Sequence, residues 1–493
     1  MYRMRSLRIS LSGTAVQRYV CRGKCKTSHC LMLYEFMKRD INKKINRRNF
    51  LKVTGIGATV TAAGLMGCKR DNRVSAAGNI LGEIPTDKMT YRTGPKGDRV
   101  SLLGYGCMRW PTRRKPDGSG MEIDQETVNS LVDYAISHGV NYFDTAPVYV
   151  QGWSEASTGI ALSRHPRESY YIATKSSGRN TLESGIAMYH KSLQDLQVDY
   201  LDYYLLHNIG RSMDDYNSRF IDNGLLDFFL KEREAGRIRN LGWSFHGNVE
   251  VFDEILNSRN DWDFVQIQLN YQDWEHAVEG RNVNAKYLYE ELTKRNIPVV
   301  VMEPLLGGLL ARVQQQVLIE FKKDRPNDSA AQWAFRFAGT PENILTVLSG
   351  MVYMEHLQEN VYTYSPLQPM SDQEYSILGE VVEILTNTDY IQCTTCEYCM
   401  PCKYGLDIPG IFAHYNNCVS SGSLLKSSSD ENYKKARREF LVGYDRSVPK
   451  LRQAAHCTEC EECLSKCPQR IQITRELQRV NAYAELLKTR SEF

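Results

Sequence analysis

At 493 residues, with 42% hydrophobic and 24% charged side chains, the chain has apolar content for a large core and length for two or three domains. A net charge of +3, without a basic stripe interleaved with aromatic residues, argues against a nucleic-acid or anionic-membrane partner. The fourteen cysteines fit a metal module better than a distributed disulfide framework, since nine follow residue 390 and only Cys107 lies between Cys68 and Cys393.

Residues 46–52 read Asn-Arg-Arg-Asn-Phe-Leu-Lys and lead into a short Gly/Ala/Thr-rich apolar run, Val53 to Met66. This resembles a twin-arginine export signal built on Arg47 and Arg48, with an apolar run too short to cross a bilayer as a helix. Leu65-Met66-Gly67-Cys68 resembles a lipoprotein processing box, which would make Cys68 a lipid-anchored residue; a chance Gly-Cys after an apolar segment is the alternative. Residues 1–36 are basic and carry Cys21, Cys25 and Cys30 at no metal spacing. They precede Met37-Lys38-Arg39 and are expected to be an extension upstream of the true start, with a structured arm as the alternative. Residues 37–78 then form signal and linker. The expected location is periplasmic, reached by the twin-arginine route, with membrane contact only through a lipid on Cys68.

From residue 88 to 370, apolar or β-branched runs alternate with amphipathic stretches. Strands are expected at Val100–Gly106, Val140–Thr145, Tyr170–Thr174, Tyr200–Leu206, Ile238–Ser244, Phe264–Asn270, Pro298–Glu303 and Leu345–Ser349. Between them lie helical patterns such as Gln125–His138, Leu182–Leu196, Val249–Asn257, Ala285–Arg295 and Ser329–Ala338. Eight strand–helix units of this size predict an α/β fold, a (β/α)8 TIM barrel. A doubly wound sheet is disfavoured because no Gly-rich dinucleotide turn follows the first strand. In a barrel, polar residues at strand C-terminal ends face the active site; here those are Asp144, Lys175, His207, Asn208, Ser244, Gln266 and Glu303.

Phe143-Asp144-Thr145-Ala146-Pro147-Val148-Tyr149 is followed by Gly152, Ser154-Glu155 and Gly159, then by Ala173-Thr174-Lys175 and Leu206-His207-Asn208. Together these resemble the aldo/keto reductase superfamily, with the Asp-to-Tyr gap of five and the Lys-to-His gap of 32 agreeing with its pattern. The resemblance implies a catalytic tetrad of Asp144, Tyr149, Lys175 and His207. Hydride reduction of a carbonyl leaves an alkoxide that needs a proton. Tyr149 would supply it, Lys175 would lower the tyrosine pKa, Asp144 would hold Lys175 charged, and His207 would orient the carbonyl.

The same resemblance implies a nicotinamide nucleotide, NAD or NADP. Asn208, Ser244 and Gln266 would hold its carboxamide end. The run Pro304-Leu305-Leu306-Gly307-Gly308 would approach its pyrophosphate with backbone amides, glycine permitting close contact. Gly350 would lie at the adenosine ribose, with Glu359 and Asn360 at the adenine. Phe245, Met302, Gly350-Met351 and His356 depart from the family's usual residues, and the missing cation leaves the choice between NAD and NADP open.

Cys393-x2-Cys396-x2-Cys399-x2-Cys402 and Cys457-x2-Cys460-x2-Cys463-x3-Cys467-Pro468 complete the chain. The second resembles the bacterial ferredoxin run, in which three thiolates hold one 4Fe–4S cluster and the fourth reaches another. Two 4Fe–4S clusters are therefore expected in a small, mainly helical ferredoxin-type domain over 371–493. Zinc and disulfides are the weaker readings, since zinc sites usually use two separated pairs. Exchange of fourth ligands would group Cys393, Cys396, Cys399 and Cys467 against Cys402, Cys457, Cys460 and Cys463. Cys418 is left as a buried structural thiol. The expected function is an exported oxidoreductase that interconverts a carbonyl and an alcohol, sugar-like in character, with a bound nucleotide, the clusters and an external electron partner. The alternative is a non-enzymatic redox-sensing or electron-carrier subunit that uses the barrel as a ligand-binding scaffold.

Overall fold

Eight short parallel strands close into a barrel in the computed structural model, which describes residues 73–74, 80–275, 284–424, 431–467 and 469–489. The strands are β1 (Leu103–Gly106), β2 (Tyr142–Asp144), β3 (Tyr171–Ser176), β4 (Leu201–Ile209), β5 (Ile238–Phe245), β6 (Phe264–Gln268), β7 (Val299–Met302) and β8 (Ile344–Ser349). Each pairs with its sequence neighbours, and β8 closes on β1. The twin-arginine pair, Cys68, the segments 1–36 and 37–72, and Pro468 lie outside the described residues. Among the described residues no helix is long and apolar enough to cross a membrane.

All eight expected strands occur, with shifted ends. Val100 and Ser101, read as the start of the first strand, instead belong to Arg99–Ser101, which pairs with Tyr91–Thr93 in an antiparallel hairpin. Val100 from that hairpin is fully buried against the barrel interior. The interior is filled by Tyr142, Ala173, Tyr203, Leu205, Phe264, Val300 and Leu345. Tyr203 packs against Tyr142 and Phe264 at ring separations of 5.0 and 5.1 Å.

Alternation along a strand explains where the site lies. Side chains two residues apart share a face. One step toward the C-terminal end from Tyr142, Ala173, Leu205 and Phe264 therefore come Asp144, Lys175, His207 and Gln266. Apolar bulk fills the middle of the barrel and the polar layer stands on top of it.

Helices cover the strands with apolar stripes. Helix α1 (Gln125–Ser137) buries Val128, Leu131, Val132 and Ala135, and Asp124 caps it by accepting the Thr127 N–H. Six more helices, α2 (Ser154–Leu162), α3 (Leu182–Leu196), α4 (Leu225–Glu234), α5 (Val249–Ser258), α6 (Ala285–Lys294) and α7 (Gln315–Asp324), continue the layer. Helix α8 (Ala330–Gly339) starts with a Ser329–Gln332 capping box, and α9 (Met354–Thr363) follows β8. The barrel's core does not stop near 370: α10 (Asp372–Thr386) adds Leu378, Val381, Val382 and Leu385 to it. Its first turn is clamped where Arg336 Nη1 and Nη2 donate to Glu374 at 2.5 and 2.9 Å.

A second core begins at Ile391. Helices α11 (Ile408–Ser420), α12 (Tyr433–Ser447) and α13 (Ile473–Thr489) bury Phe412, Tyr415, Phe440, Tyr444, Leu477 and Val480 between them. Two cysteine loops, before α11 and before α13, stand at one end of this bundle.

Candidate active site

Lys175 is buried at the end of β3, where its Nζ donates to Asp144 Oδ1 at 2.6 Å and to the Thr145 carbonyl at 2.7 Å. The Tyr149 ring centroid lies 4.9 Å from that ammonium, and the His207 ring meets Tyr149 edge-on at 5.8 Å. The structure thus brings all four tetrad candidates together. Tyr149 is presented by a turn in which Val150 and Gln151 both take left-handed backbone angles (φ 49° and 58°). That conformation is costly for a β-branched valine, and such strain collects where geometry must be held.

Ser177 Oγ lies 2.6 Å from His207 Nδ1, and Arg219 donates to the His207 carbonyl at 2.6 Å. Burial, then Lys175, holds the imidazole pKa well below its ordinary range, so His207 is neutral at pH 7. A Ser177 hydroxyl that donates to Nδ1 would leave the proton on Nε2 and make that nitrogen the donor. Burial raises the Asp144 carboxyl while Lys175 opposes it, and Asp144 Oδ2 has no partner.

One electrostatic expectation reverses. Burial, joined by Tyr398 and Asp144, pushes the Tyr149 hydroxyl well above the ordinary phenol value. Lys175, its ammonium 4.9 Å from the ring centroid, gives two of its three protons to Asp144 and the Thr145 carbonyl. Tyr149 is a neutral phenol that can donate a proton.

An open cleft of about 1180 Å³ exposes Tyr149 and His207. Trp110 and Trp153 line it together with Gln151, Arg179, Arg211 and Asp215, and its far wall is Thr395, Cys396, Glu397 and Tyr398 from the first cysteine loop. Tyr398 stands beside Tyr149 on this wall.

The residues assigned to a nucleotide divide into two groups. At the carboxamide end, Asn208 donates its N–H to Ser244 Oγ at 2.8 Å, and buried Gln266 keeps an unpartnered Oε1. Phe245 turns away from the mouth to pack on Trp243 and Phe252. At the pyrophosphate end, Gly307 and Gly308 are left-handed (φ 65° and 98°), but Thr394 packs so closely on Gly307 that a Cβ there would collide with the Thr394 backbone. Pro304 is buried and Leu305 packs against the barrel core. A Cβ on Gly350 would lie 3.2 Å from Arg109 Cδ. Glu359 and Asn360 are buried on α9, with Asn360 donating to Ser349 Oγ at 3.0 Å. Among these residues only Asn208 lines the open cleft.

The cysteines form two groups. Cys393, Cys396, Cys399 and Cys467 line one small cavity, capped by Ile408, Phe412, Ile471 and Ile473. Cys402, Cys457, Cys460 and Cys463 line another beside Leu406 and Leu477, which Cys399 also borders. The two loops share a backbone device: the residues flanking the middle cysteine are left-handed in both, Thr395 and Glu397 in one, Glu459 and Glu461 in the other. Among the described residues every cysteine is free. No group of three or more His, Cys, Asp or Glu among them closes on a point as a single metal ion requires. Burial pushes the Cys393 thiol up to about 12, so a thiolate there needs a cationic partner such as iron. Two quartets of soft donors around separate cavities fit two iron–sulfur clusters. Cys418 is buried between α11 and its neighbours, 3.6 Å from His414 Nε2.

The roles of Ser177, Arg219, Arg109 and Tyr398 were not read from the sequence. Ser177 could have been found by alternation, two residues beyond Lys175 on the same strand face. Arg109 and Tyr398 depend on the approach of segments far apart in sequence, 285 residues for Arg109 and Thr394, which no local pattern reveals.

The family model for the aldo/keto reductase family matches residues 102–383. Probable aldo-keto reductase 1 of Glycine max is 33% identical over 132 residues, covering 25% of this chain and 37% of that protein. Protein tas of Escherichia coli (strain K12) is 30% identical over 189 residues, covering 32% of this chain and 52% of its own length. The chain thus spans about half the length of these curated relatives, or less. Among solved structures, the holo form of an aldo-keto reductase from Bacillus halodurans is 23% identical and covers 59% of this chain and 96% of that one, with a TM-score of 0.49. An aldo-keto reductase from Klebsiella pneumoniae in complex with NADPH is 19% identical and covers 60% and 95%, with a TM-score of 0.47.

Proposed function

Because this chain belongs to the aldo/keto reductase family, we propose that it interconverts a small carbonyl compound and its alcohol at the barrel mouth, with two 4Fe–4S clusters in the cysteine quartets as its electron store. The observation that carries this reading is the buried Lys175–Asp144 pair under Tyr149, with neutral His207 beside it, opening on a cleft whose opposite wall is a cysteine loop.

Tyr149 gives its hydroxyl proton to the oxygen of the reacting carbonyl, and the Nε2–H of His207 holds that oxygen. Lys175 beneath the ring stabilises the phenolate left behind, and Asp144 keeps Lys175 charged. The overall change takes up two electrons and two protons, Tyr149 giving the proton on oxygen and water in the open cleft the one that ends on carbon. Each cluster, when bound, would supply or accept one electron, and an external one-electron carrier would refill it. The cleft's Arg179, Arg211, Asp215 and Gln151, with two tryptophans, suit a polar, sugar-like substrate.

A nicotinamide nucleotide, NAD or NADP, is what family membership offers as a hydride source. Ser244, Asn208 and Gln266 fit its carboxamide, but the pyrophosphate end is filled by Thr394, so no step is derived through it. Export by the twin-arginine route and a lipid on Cys68 belong to the same reading, supported by Arg47, Arg48 and the Leu65–Cys68 run. Once a carbonyl substrate is found by product screening, Tyr149→Phe should lower turnover by about 10³-fold while iron content stays at wild type. Unchanged turnover would overturn the assignment.

A further inference from the structure

We propose that the first cysteine loop takes the place of a nucleotide's pyrophosphate half, so that this loop and a nicotinamide nucleotide exclude each other at the barrel mouth. The inference rests on the cluster-binding reading of the quartets, and three contacts along one track carry it. At the outer end, the Arg109 side chain lies on Gly350 and reaches across, donating to the Thr394 carbonyl and to Thr395 Oγ1 at 3.0 Å. In the middle, Thr394 packs on Gly307, the residue whose missing side chain would otherwise let a phosphate approach the backbone. At the inner end, Tyr398 stands beside Tyr149 on the wall of the same cleft.

The strap is therefore seated at both ends and in the middle, by a bridging guanidinium, a glycine contact and a tyrosine neighbour. A glycine that admits a close backbone neighbour can admit either a diphosphate or Thr394, not both. The cleft that remains open is lined by Tyr149 and His207, whereas Ser244, Gln266, Pro304, Gly307, Glu359 and Asn360 do not line it. Substrate can reach the tetrad while a dinucleotide cannot lie down.

The test uses the full chain, purified anaerobically with iron counted, and titrates NADH and NADPH by fluorescence and equilibrium dialysis. Wild type should bind both more weakly than about 1 mM. Arg109→Ala, which frees the strap, should gain about tenfold in affinity at unchanged iron content. Gly307→Ala, whose Cβ would crowd Thr394 and also fill the close approach a phosphate needs, should shift the EPR signal of one cluster with no gain in affinity. Micromolar binding to fully loaded wild type, or no gain in Arg109→Ala, would overturn the proposal. An absence of iron from the purified chain would instead overturn the cluster reading on which it rests, so the two failures are distinguishable.

Discussion

The tetrad and the first cysteine quartet face each other across one cleft and are held in opposite ways. Lys175, Asp144, His207 and Ser177 hold one another with protein hydrogen bonds of 2.6 to 2.7 Å, on strands that also close the barrel. Cys393, Cys396, Cys399 and Cys467 lie around a cavity, set by left-handed turns and an apolar cap. The first site carries its own electrostatic partners; the second needs its ligand to supply them. The barrel should therefore keep its site without metal, while the module should depend on it.

The largest effect is expected from breaking the barrel pair. Lys175→Met leaves Asp144 buried without a cation and should cost about 3–5 kcal/mol in a denaturant titration, along with turnover. A loss below about 1 kcal/mol would show that water reaches the pair and that the contrast with the quartets is false.

Removing one quartet ligand comes next. Cys396→Ala should lower bound iron to about half and loosen α11 to α13 in hydrogen exchange, with β1 to β8 as protected as in wild type. Equal loosening of the barrel would mean that the module is a structural staple for the whole chain.

Glu374→Gln sharpens the comparison at the junction, because α10 belongs to the barrel core yet leads into the cysteine loop. Burial would raise the Glu374 carboxyl, but Arg336, the Ser371 N–H and Arg325 outweigh it and hold it at about 2. Its stabilisation is present above the unfolded value of 4.5 and is lost as pH falls toward about 2. The variant should lose about 2 kcal/mol at pH 7 and show a flatter acid limb in thermal melts.

Glu155 gives the smallest effect and the opposite sign. Burial raises it from 4.5 to about 7, against a hydrogen bond from Thr174. The fold prefers the neutral acid, so this group withdraws stability as pH rises from 4.5 through about 7. Glu155→Gln should flatten that slope in melting temperatures across the window; an unchanged slope would place the titration elsewhere.

The legible parts were those written in local periodicity. Continuous apolar runs gave eight strands, and alternation put Asp144, Lys175 and His207 on one face above Tyr142, Ala173 and Leu205. Cysteine spacing gave both quartets, including the exchange of Cys402 and Cys467. Long-range approach was not legible. The sequence assigned Gly307 to a phosphate because a glycine only shows that something comes close, and here that neighbour is Thr394. Phe245 stands beside Ser244 in sequence but on the opposite face of β5, so it packs outward on Phe252. Lys175 stands 4.9 Å from the Tyr149 ring centroid, yet its ammonium is bonded to Asp144.

The central claim is that a cluster-bearing module stands at the barrel mouth where a nucleotide would lie. Its most direct test is to count iron, acid-labile sulfide and nucleotide in one anaerobically purified sample of the full chain. The prediction is about eight iron and about eight sulfide per chain, with no nucleotide released on denaturation. Stoichiometric NAD or NADP beside full iron, or zinc in place of iron, would contradict it.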